Sequence, residues 1–235
     1  MKTLILAALM AVAVATAPAR AQTQPAGSPG IANLYLKVVD GDQAASAQLR
    51  SLADSGNPEA QFWFGSMYAN GKGVSKDPAI AVSWYRTAAD QGFAPAQFVL
   101  GSMYANGEGV SKDTTIAASW YRKAADQGFA PAQLNLGLLY DLGQGIPRDA
   151  AMAVNWYGKA ADQGDALAQF SLGSMYANGD GVPKDLVLAH MWFDLSAAQG
   201  NESGQKKRDS IKMRMTPEQI AEAERLSREW KPKGK

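Results

Sequence analysis

The sequence contains no cysteine and a single histidine, His190, among its 235 residues. The absence of cysteine excludes disulfide frameworks, thiolate zinc sites and cysteine nucleophiles. One histidine excludes histidine-rich metal sites, and it disfavours a catalytic triad that depends on an imidazole base. We therefore expect no catalytic residue, no metal site and no cofactor in this chain.

Neither sign of charge is in large excess, since 23 Lys and Arg face 22 Asp and Glu for a formal net charge of +1. Nucleic-acid binding requires many cationic contacts to phosphate, so this balance argues against a nucleic-acid partner. Positive charge collects only near the C-terminus, at Lys206, Lys207, Arg208, Lys212 and Arg214. This cluster is either a contact for an acidic partner or lipid headgroups, or a solvated face of a capping helix.

Long hydrophobic runs are also missing beyond the N-terminus. A short positive start is followed by an apolar run from Leu4 to Ala17 and then by Ala19-Arg20-Ala21, the small-x-small pattern that a signal peptidase reads. The run is shorter than the about 20 residues of a membrane span. We expect a signal peptide over 1–21 with cleavage before Gln22, a disordered leader over 22–30, no membrane span, and a periplasmic or secreted mature protein.

A unit of 36 residues is repeated four times without a gap, over 56–91, 92–127, 128–163 and 164–199. Each copy predicts two helices, because its apolar residues recur with a period of 3.6. The first, helix A, also carries a glycine, which we expect to permit a close crossing with the second, helix B.

The turn between the two helices has the pattern Gly-x-Gly-Val/Ile-x-Lys/Arg-Asp. Its glycines are expected to end helix A in the left-handed conformation, and its aspartate is expected to cap the N-terminus of helix B. Helix B carries a tryptophan in every copy, at Trp84, Trp120, Trp156 and Trp192. At the position of His190 the other copies carry Val82, Ala118 and Val154, so we expect this histidine to fill a packing slot.

Three runs of the repeat resemble the Sel-one-like repeat family, a relative of the tetratricopeptide repeat: Ala-Gln-x-x-Leu/Phe-Gly-x-x-Tyr, Gly-x-Gly-Val and Ala-x-x-Trp-Tyr-x-x-Ala-Ala-x-x-Gly. The resemblance covers 56–199 and implies an all-α, right-handed superhelical αα-solenoid of antiparallel helix pairs. It brings no catalytic residues with it. We expect one solenoid domain over 31–235, with an N-terminal half-repeat at 31–55 and C-terminal capping helices at 200–235.

The resemblance also implies that the A helices line the concave surface of the solenoid. At about 100° per residue, one stripe of these helices lies away from the repeated apolar positions. This A-helix stripe is our predicted partner-binding site, and it comprises Trp63, Ser66, Asn70, Val99, Ser102, Asn106, Asn135, Leu138, Leu142, Ser171, Ser174 and Asn178. Its serines and asparagines would bond to a partner's backbone and Trp63 would act as an anchor; alternatively, Trp63 packs on the half-repeat and the groove is unused.

These observations favour a non-enzymatic scaffold of the bacterial periplasm or envelope that holds a segment of a partner protein. One alternative is an exported hydrolase or a protein that binds the cell wall or β-lactams. Cysteine-rich relatives in the family are linked to penicillin-like compounds, but this chain lacks their disulfides and has no Ser-x-x-Lys motif. Another alternative is a secreted effector that engages host proteins, which would use the same physical mode of binding.

Overall fold

The computed structural model describes residues 30–233, and within them it contains twelve α-helices and no strand. The helices are α1 (Ile31–Val39), α2 (Gln43–Asp54), α3 (Pro58–Asn70), α4 (Pro78–Asp90), α5 (Ala94–Asn106), α6 (Thr114–Asp126), α7 (Ala130–Leu142), α8 (Ala150–Asp162), α9 (Ala166–Asn178), α10 (Leu186–Ala198), α11 (Glu202–Lys212) and α12 (Pro217–Glu229). Helices α3, α5, α7 and α9 are the predicted A helices, and α4, α6, α8 and α10 are the predicted B helices. The predicted signal peptide and the leader up to 29 lie outside the described residues.

The repeated aspartate caps the B helices, as the sequence predicts. One carboxylate oxygen of Asp113 accepts hydrogen bonds from the backbone N–H groups of Thr115 and Ile116, both at 2.9 Å. The equivalent aspartates cap the other three B helices: Asp77 and Asp185 each accept from two backbone N–H groups, and Asp149 accepts from the N–H of Met152. Each cap satisfies backbone donors that have no partner inside the helix, so the start of every B helix is set locally.

The glycines of the inter-helix turn are required by close backbone contacts. Gly143 ends α7 in the left-handed conformation, with φ of 66°. Two residues later, a Cβ atom on Gly145 would lie 2.4 Å from the carbonyl carbon of Thr114, at the start of the preceding B helix. Gly181 meets Ala150 in the same way. No other residue fits at these two positions, and the turns of the third and fourth copies therefore pack directly on the start of the preceding B helix.

The glycine inside helix A marks the close crossing that the sequence predicts. A Cβ atom on Gly137 would lie 2.7 Å from the ring of Tyr157 on α8, and one on Gly173 would lie 2.9 Å from the ring of Phe193 on α10. Both rings are buried. The free energy lost by placing glycine in a helix is offset here by the tight packing of the helix pair.

The described residues form two compact units. The first comprises the residues up to Met103 with Glu108–Ser111, and the second comprises Tyr104–Gly107 and the residues from Lys112 onward. Within each unit, consecutive helices pack on one another as in an αα-solenoid, so the all-α solenoid class is confirmed. The single domain over 31–235 stays a prediction.

The N-terminal region contains a helix that the half-repeat prediction did not include. Helix α1 precedes the predicted α2, and its buried side chains include Leu34 and Tyr35. Both α1 and α2 pack on α3. The residues at 31–55 therefore make two helices rather than one, and this difference decides the environment of the first copy's A helix.

A buried glutamine in each A helix links neighbouring repeats. The Gln133 amide donates to the carbonyl of Ala125 at 3.1 Å, and its oxygen accepts from the Gln163 amide at 2.8 Å. Gln169 and Gln199 repeat this pairing at 2.9 Å, and Gln61 and Gln91 repeat it at 2.7 Å. Buried amides need such partners, so the glutamines connect the end of one B helix to the next A helix.

Helices α11 and α12, here called the C-terminal cap, cover α10. Thr216 and Gln219 form a reciprocal capping box at the start of α12. After α12, the Trp230 ring lies 6.2 Å from the Trp192 ring, centroid to centroid. The Lys233 backbone N–H donates to the Asp162 carbonyl at 2.7 Å, and its ammonium group lies 3.0 Å from the Asp162 carboxylate. The chain thus folds back onto α8 and α10.

Candidate functional site

The first part of the A-helix stripe is buried. Trp63 is only 4% exposed, and Ser66 and Val99 are buried as well. The Trp63 ring lies 4.7 Å from the Tyr35 ring, centroid to centroid, because α1 packs over this side of α3. The burial of Trp63 favours the alternative expectation, in which its ring packs on the N-terminal region, and it leaves little indole surface for anchoring a partner.

Polar groups around Trp63 bond to one another rather than facing outward. The Asn70 amide donates to the backbone carbonyl of Ser66 at 2.8 Å and to its hydroxyl at 3.1 Å. The Ser66 hydroxyl in turn donates to the Tyr35 hydroxyl at 3.3 Å. Burial raises the pKa of the Glu59 carboxyl group, and a hydrogen bond from Trp63 opposes this shift. These groups stabilise the fold of the first unit.

Serines further along the stripe also donate their hydroxyl hydrogen bonds to groups within the chain. The hydroxyl of Ser102 donates to the Phe98 carbonyl at 3.1 Å, and that of Ser174 donates to the Phe170 carbonyl at 3.0 Å. Ser171 shares a hydrogen bond with Tyr157, whose pKa is raised by burial and, to a smaller extent, by the nearby Asp141 carboxylate. The predicted bonds from these serines to a partner's backbone would therefore have to compete with bonds inside the chain.

The remaining stripe residues differ in exposure. Asn106 and Asn178 are exposed, and Asn135 is half-buried. The Asn178 amide lies 3.4 Å from the Asp180 carboxylate, which is a weak hydrogen bond. These asparagines offer polar groups to solvent but little apolar area.

Leu138 and Leu142 are the exposed apolar residues of α7, and we call them the α7 leucine pair. Their exposed fractions are 43% and 55%. They lie one turn apart, so their side chains share one face of the helix. The other three copies carry serine at the first position and asparagine at the second. Asp141 lies beside the pair and is contacted by Arg148, whose guanidinium donates to its backbone carbonyl at 2.8 Å.

The first unit contains an open groove that the repeat pattern does not predict. It has a volume of about 440 Å³, an apolar floor that includes Phe64 and Val74, and a rim that includes Asp42 and Arg50. It exists because the turn of the first copy does not close on a preceding B helix; a Cβ atom on Gly73 would meet the Val38 side chain at 2.9 Å. The lining comes from α1, α2, α3 and the turn of the first copy, so the groove depends on how these elements pack together.

The basic cluster on the cap is partly neutralised within the chain. Arg208 pairs with Asp194 at 2.8 Å, and Lys212 pairs with Glu224 at 3.3 Å. Lys206, Lys207 and Arg214 are exposed. Across 30–233, no three acidic or histidine side chains are grouped so that they could hold a metal ion. Every helix in the same stretch is too short or too polar to cross a bilayer.

Consecutive helix pairs built from one repeated unit define a helical-repeat protein. The model of the Sel1 repeat matches four consecutive segments, at 58–93, 94–129, 130–165 and 166–201. The chain belongs to the Sel1 repeat family. Proteins built from these repeats generally serve as scaffolds for protein interactions rather than as catalysts, and their partners are generally proteins.

Two examples illustrate the solved structures to which this chain is similar. One is c5321, a protective antigen present in uropathogenic Escherichia coli strains, at 36% identity and a TM-score of 0.74, with 84% of this chain and 44% of that chain covered. The other is a Sel1 repeat protein from Oxalobacter formigenes, at 34% identity and a TM-score of 0.74, with 83% of each chain covered. The chain thus spans less than half the length of the Escherichia coli antigen. No curated protein matches the chain.

Proposed function

We propose that this protein is an exported, non-enzymatic scaffold that holds an apolar segment of a partner protein against the α7 leucine pair. The observation that carries the proposal is the exposure of Leu138 and Leu142 at positions where the other three copies have serine and asparagine. Packing inside the chain does not require these leucines, since the same fold forms around polar residues in the other copies. Their exposed apolar area is available to another molecule.

The energetics suit a modest but specific contact. Full burial of a leucine side chain contributes roughly 1.5–3 kcal/mol, so covering the exposed half of two leucines contributes about 2 kcal/mol. That amount corresponds to roughly thirtyfold in a dissociation constant. Two anchors one helical turn apart suit an amphipathic helix or an extended segment with spaced apolar residues. The charged Asp141 and Arg148 at the edge of the pair would set the register of such a segment.

The test exchanges the pair for the residues of the other copies, Leu138→Ser with Leu142→Asn. We expect this variant to fold like the parent, by circular dichroism and thermal unfolding, while its affinity for the partner falls by roughly tenfold or more. The partner is first captured by a photo-crosslinker placed at Leu138 in cells and is then titrated as a purified protein. Leu36→Ser is the matched control, because Leu36 is 53% exposed on α1, outside the stripe. Equal affinities of all three proteins would contradict the proposal.

Export is tested by fractionation. We expect the mature chain in the periplasm, with Gln22 as its first residue by mass spectrometry of the intact protein. Detection in the culture medium would instead favour the secreted-effector alternative, and an uncleaved cytosolic chain would contradict export. Nitrocefin turnover or muropeptide release by the purified protein would contradict the non-enzymatic assignment.

A further inference from the structure

His190 is a polar residue in an apolar slot of the fold. Its side chain lies on α10 and is 1% exposed, and no atom of the described residues forms a hydrogen bond with either ring nitrogen. The other copies place Val82, Ala118 and Val154 at this position. An imidazole always carries at least one donor, and buried polar groups in proteins are nearly always paired. The imidazole is therefore less suited to this apolar slot than the valine or alanine that the other copies carry there.

The charged groups near His190 come from three of the elements that surround it. Helix α10 itself provides Asp194, α11 provides Arg208 and Lys212, and α12 provides Glu224. Helix α9 carries no acidic or basic side chain between its two ends. The histidine thus faces two cations and two carboxylates at the junction of α10 with the C-terminal cap.

These same charges connect the helices of the cap. Arg208 holds Asp194 at 2.8 Å and joins α11 to α10, while Lys212 holds Glu224 at 3.3 Å and joins α11 to α12. Both carboxylates near His190 are therefore already paired. A positive charge on the imidazole would either remain without a partner or take Asp194 from Arg208.

We propose that His190 is an acid-sensitive latch for the C-terminal cap: when its imidazole takes up a proton, α11 and α12 loosen from α10. A charge at a buried site is strongly unfavourable because of its desolvation; Asp194 attracts that charge, while Lys212 and Arg208 repel it. The alternative pairing with Asp194 breaks the ion pair that joins α11 to α10. Both outcomes weaken the same contact. This inference is independent of the partner site on α7.

Loosening of the cap would uncover apolar surface. Leu226 on α12 and Trp230, the residue just after α12, pack on the core cluster that contains Trp192. Lys233 binds Asp162 on α8 through its backbone N–H and its ammonium group. Release of α12 would free these contacts together and expose the Trp192 ring. The latch therefore couples an acidic environment to the appearance of a new apolar face on α10.

The direction of the pH dependence follows from the pKa of His190. Burial lowers this pKa below 6.5; Asp194 and Glu224 oppose the shift, and Lys212 and Arg208 favour it. Just below pH 6.5 the folded chain binds fewer protons than the unfolded chain. The free energy of unfolding therefore decreases as the pH is lowered. The stability of the cap is thus full above the unfolded pKa and is lost as the pH falls through the folded pKa.

Hydrogen–deuterium exchange of the purified mature chain tests the latch. Between about pH 7.5 and about pH 5.5, we expect cap peptides to open several-fold more often after correction for intrinsic exchange, up to the roughly tenfold limit that proton linkage sets one pH unit below 6.5. Peptides from α7 and α8 serve as the internal reference. His190→Val, which installs the residue of two other copies, should keep the cap protected at both pH values. If that variant did not fold, His190→Ala would supply the comparison, since the second copy carries alanine.

Because His190 is the chain's single histidine, its ring Cε1 proton is a resolved NMR probe of the protonation step. We expect it to titrate below pH 6.5 in the folded protein and to shift together with the opening of the cap. Titration at or above this value would overturn the proposal. An acid-induced opening of equal size in His190→Val, or none in the parent, would do the same.

Discussion

The indole ring of Trp63 lies against the phenol ring of Tyr35, with their centroids 4.7 Å apart and their planes tilted by 30°. This contact joins α1 to α3 and places the largest side chain of the predicted binding stripe inside the first unit. A second aromatic contact, with Phe62 at 5.1 Å, encloses the ring further. Trp63 is therefore a residue of the core, and its substitution tests stability before it tests binding.

We expect Trp63→Ala to lower the free energy of unfolding by about 3–5 kcal/mol, because a buried aromatic ring is lost and a cavity remains. Urea denaturation followed by circular dichroism measures the effect. Asn106→Ala, an exposed residue of the same stripe, should change stability by less than about 0.5 kcal/mol. If Trp63→Ala were as stable as the parent, the packing on α1 would be refuted.

The two helical glycines of the third repeat should respond to alanine in opposite directions. Gly158→Ala should stabilise by about 0.5–1 kcal/mol, since a Cβ there meets nothing within 4 Å and alanine favours the helix. Gly137→Ala should destabilise by about 1–3 kcal/mol, because the new atom would press on the buried ring of Tyr157. Thermal unfolding of both variants side by side measures the contrast, and shifts of equal sign would contradict the close crossing.

The buried glutamine of the third repeat should be sensitive to truncation. Gln133→Ala removes the hydrogen bonds to Ala125 and from Gln163 and leaves a buried carbonyl without its donor. We expect a loss of about 1–3 kcal/mol in the free energy of unfolding by urea. Gln144→Ala, at an exposed position of the turn, is the control and should be neutral. Equal stability of both variants would show that the glutamine pairing contributes nothing.

Two buried tyrosines should make the fold sensitive to alkali. Burial raises the pKa of Tyr85 and of Tyr157 well above the ordinary value of 10.0. Their contribution to stability is therefore full below this value and is lost as the pH rises above it, because the unfolded tyrosines ionise first. Urea titrations at about pH 9 and about pH 11 should show a steeper loss for the parent than for Tyr157→Phe. Parallel losses would contradict the burial of this hydroxyl.

Much of the local structure could be predicted from the repeat. The cap at Asp113, the left-handed Gly143 and the close approach at Gly137 all occur as expected, because each depends on residues that are near in sequence or repeated in register. The hydrogen bonds between the glutamine side chains could not be predicted from the repeat. The pattern shows Gln133 as a repeated residue, but it does not show that its partners are Ala125, at the end of the preceding B helix, and Gln163, just after the following one.

The binding stripe could be predicted only in part. Periodicity identifies which residues share a side of α3 or α7, and it places Leu138 and Trp63 on equivalent stripes. It does not identify the neighbouring helix that covers each side. Helix α1 lies outside the repeat and covers Trp63, whereas Leu138 is left exposed.

By itself, the sequence determines a chain of stacked helix pairs, since the caps, turns and apolar period act over a few residues and recur in all four copies. The tertiary structure alone decides which stripe residues remain exposed to solvent. It also decides that a groove opens at Gly73 and that His190 lies without a hydrogen-bond partner beneath the C-terminal cap. The physical reason is that burial depends on helices distant in the chain, which the spacing of residues within one repeat does not encode.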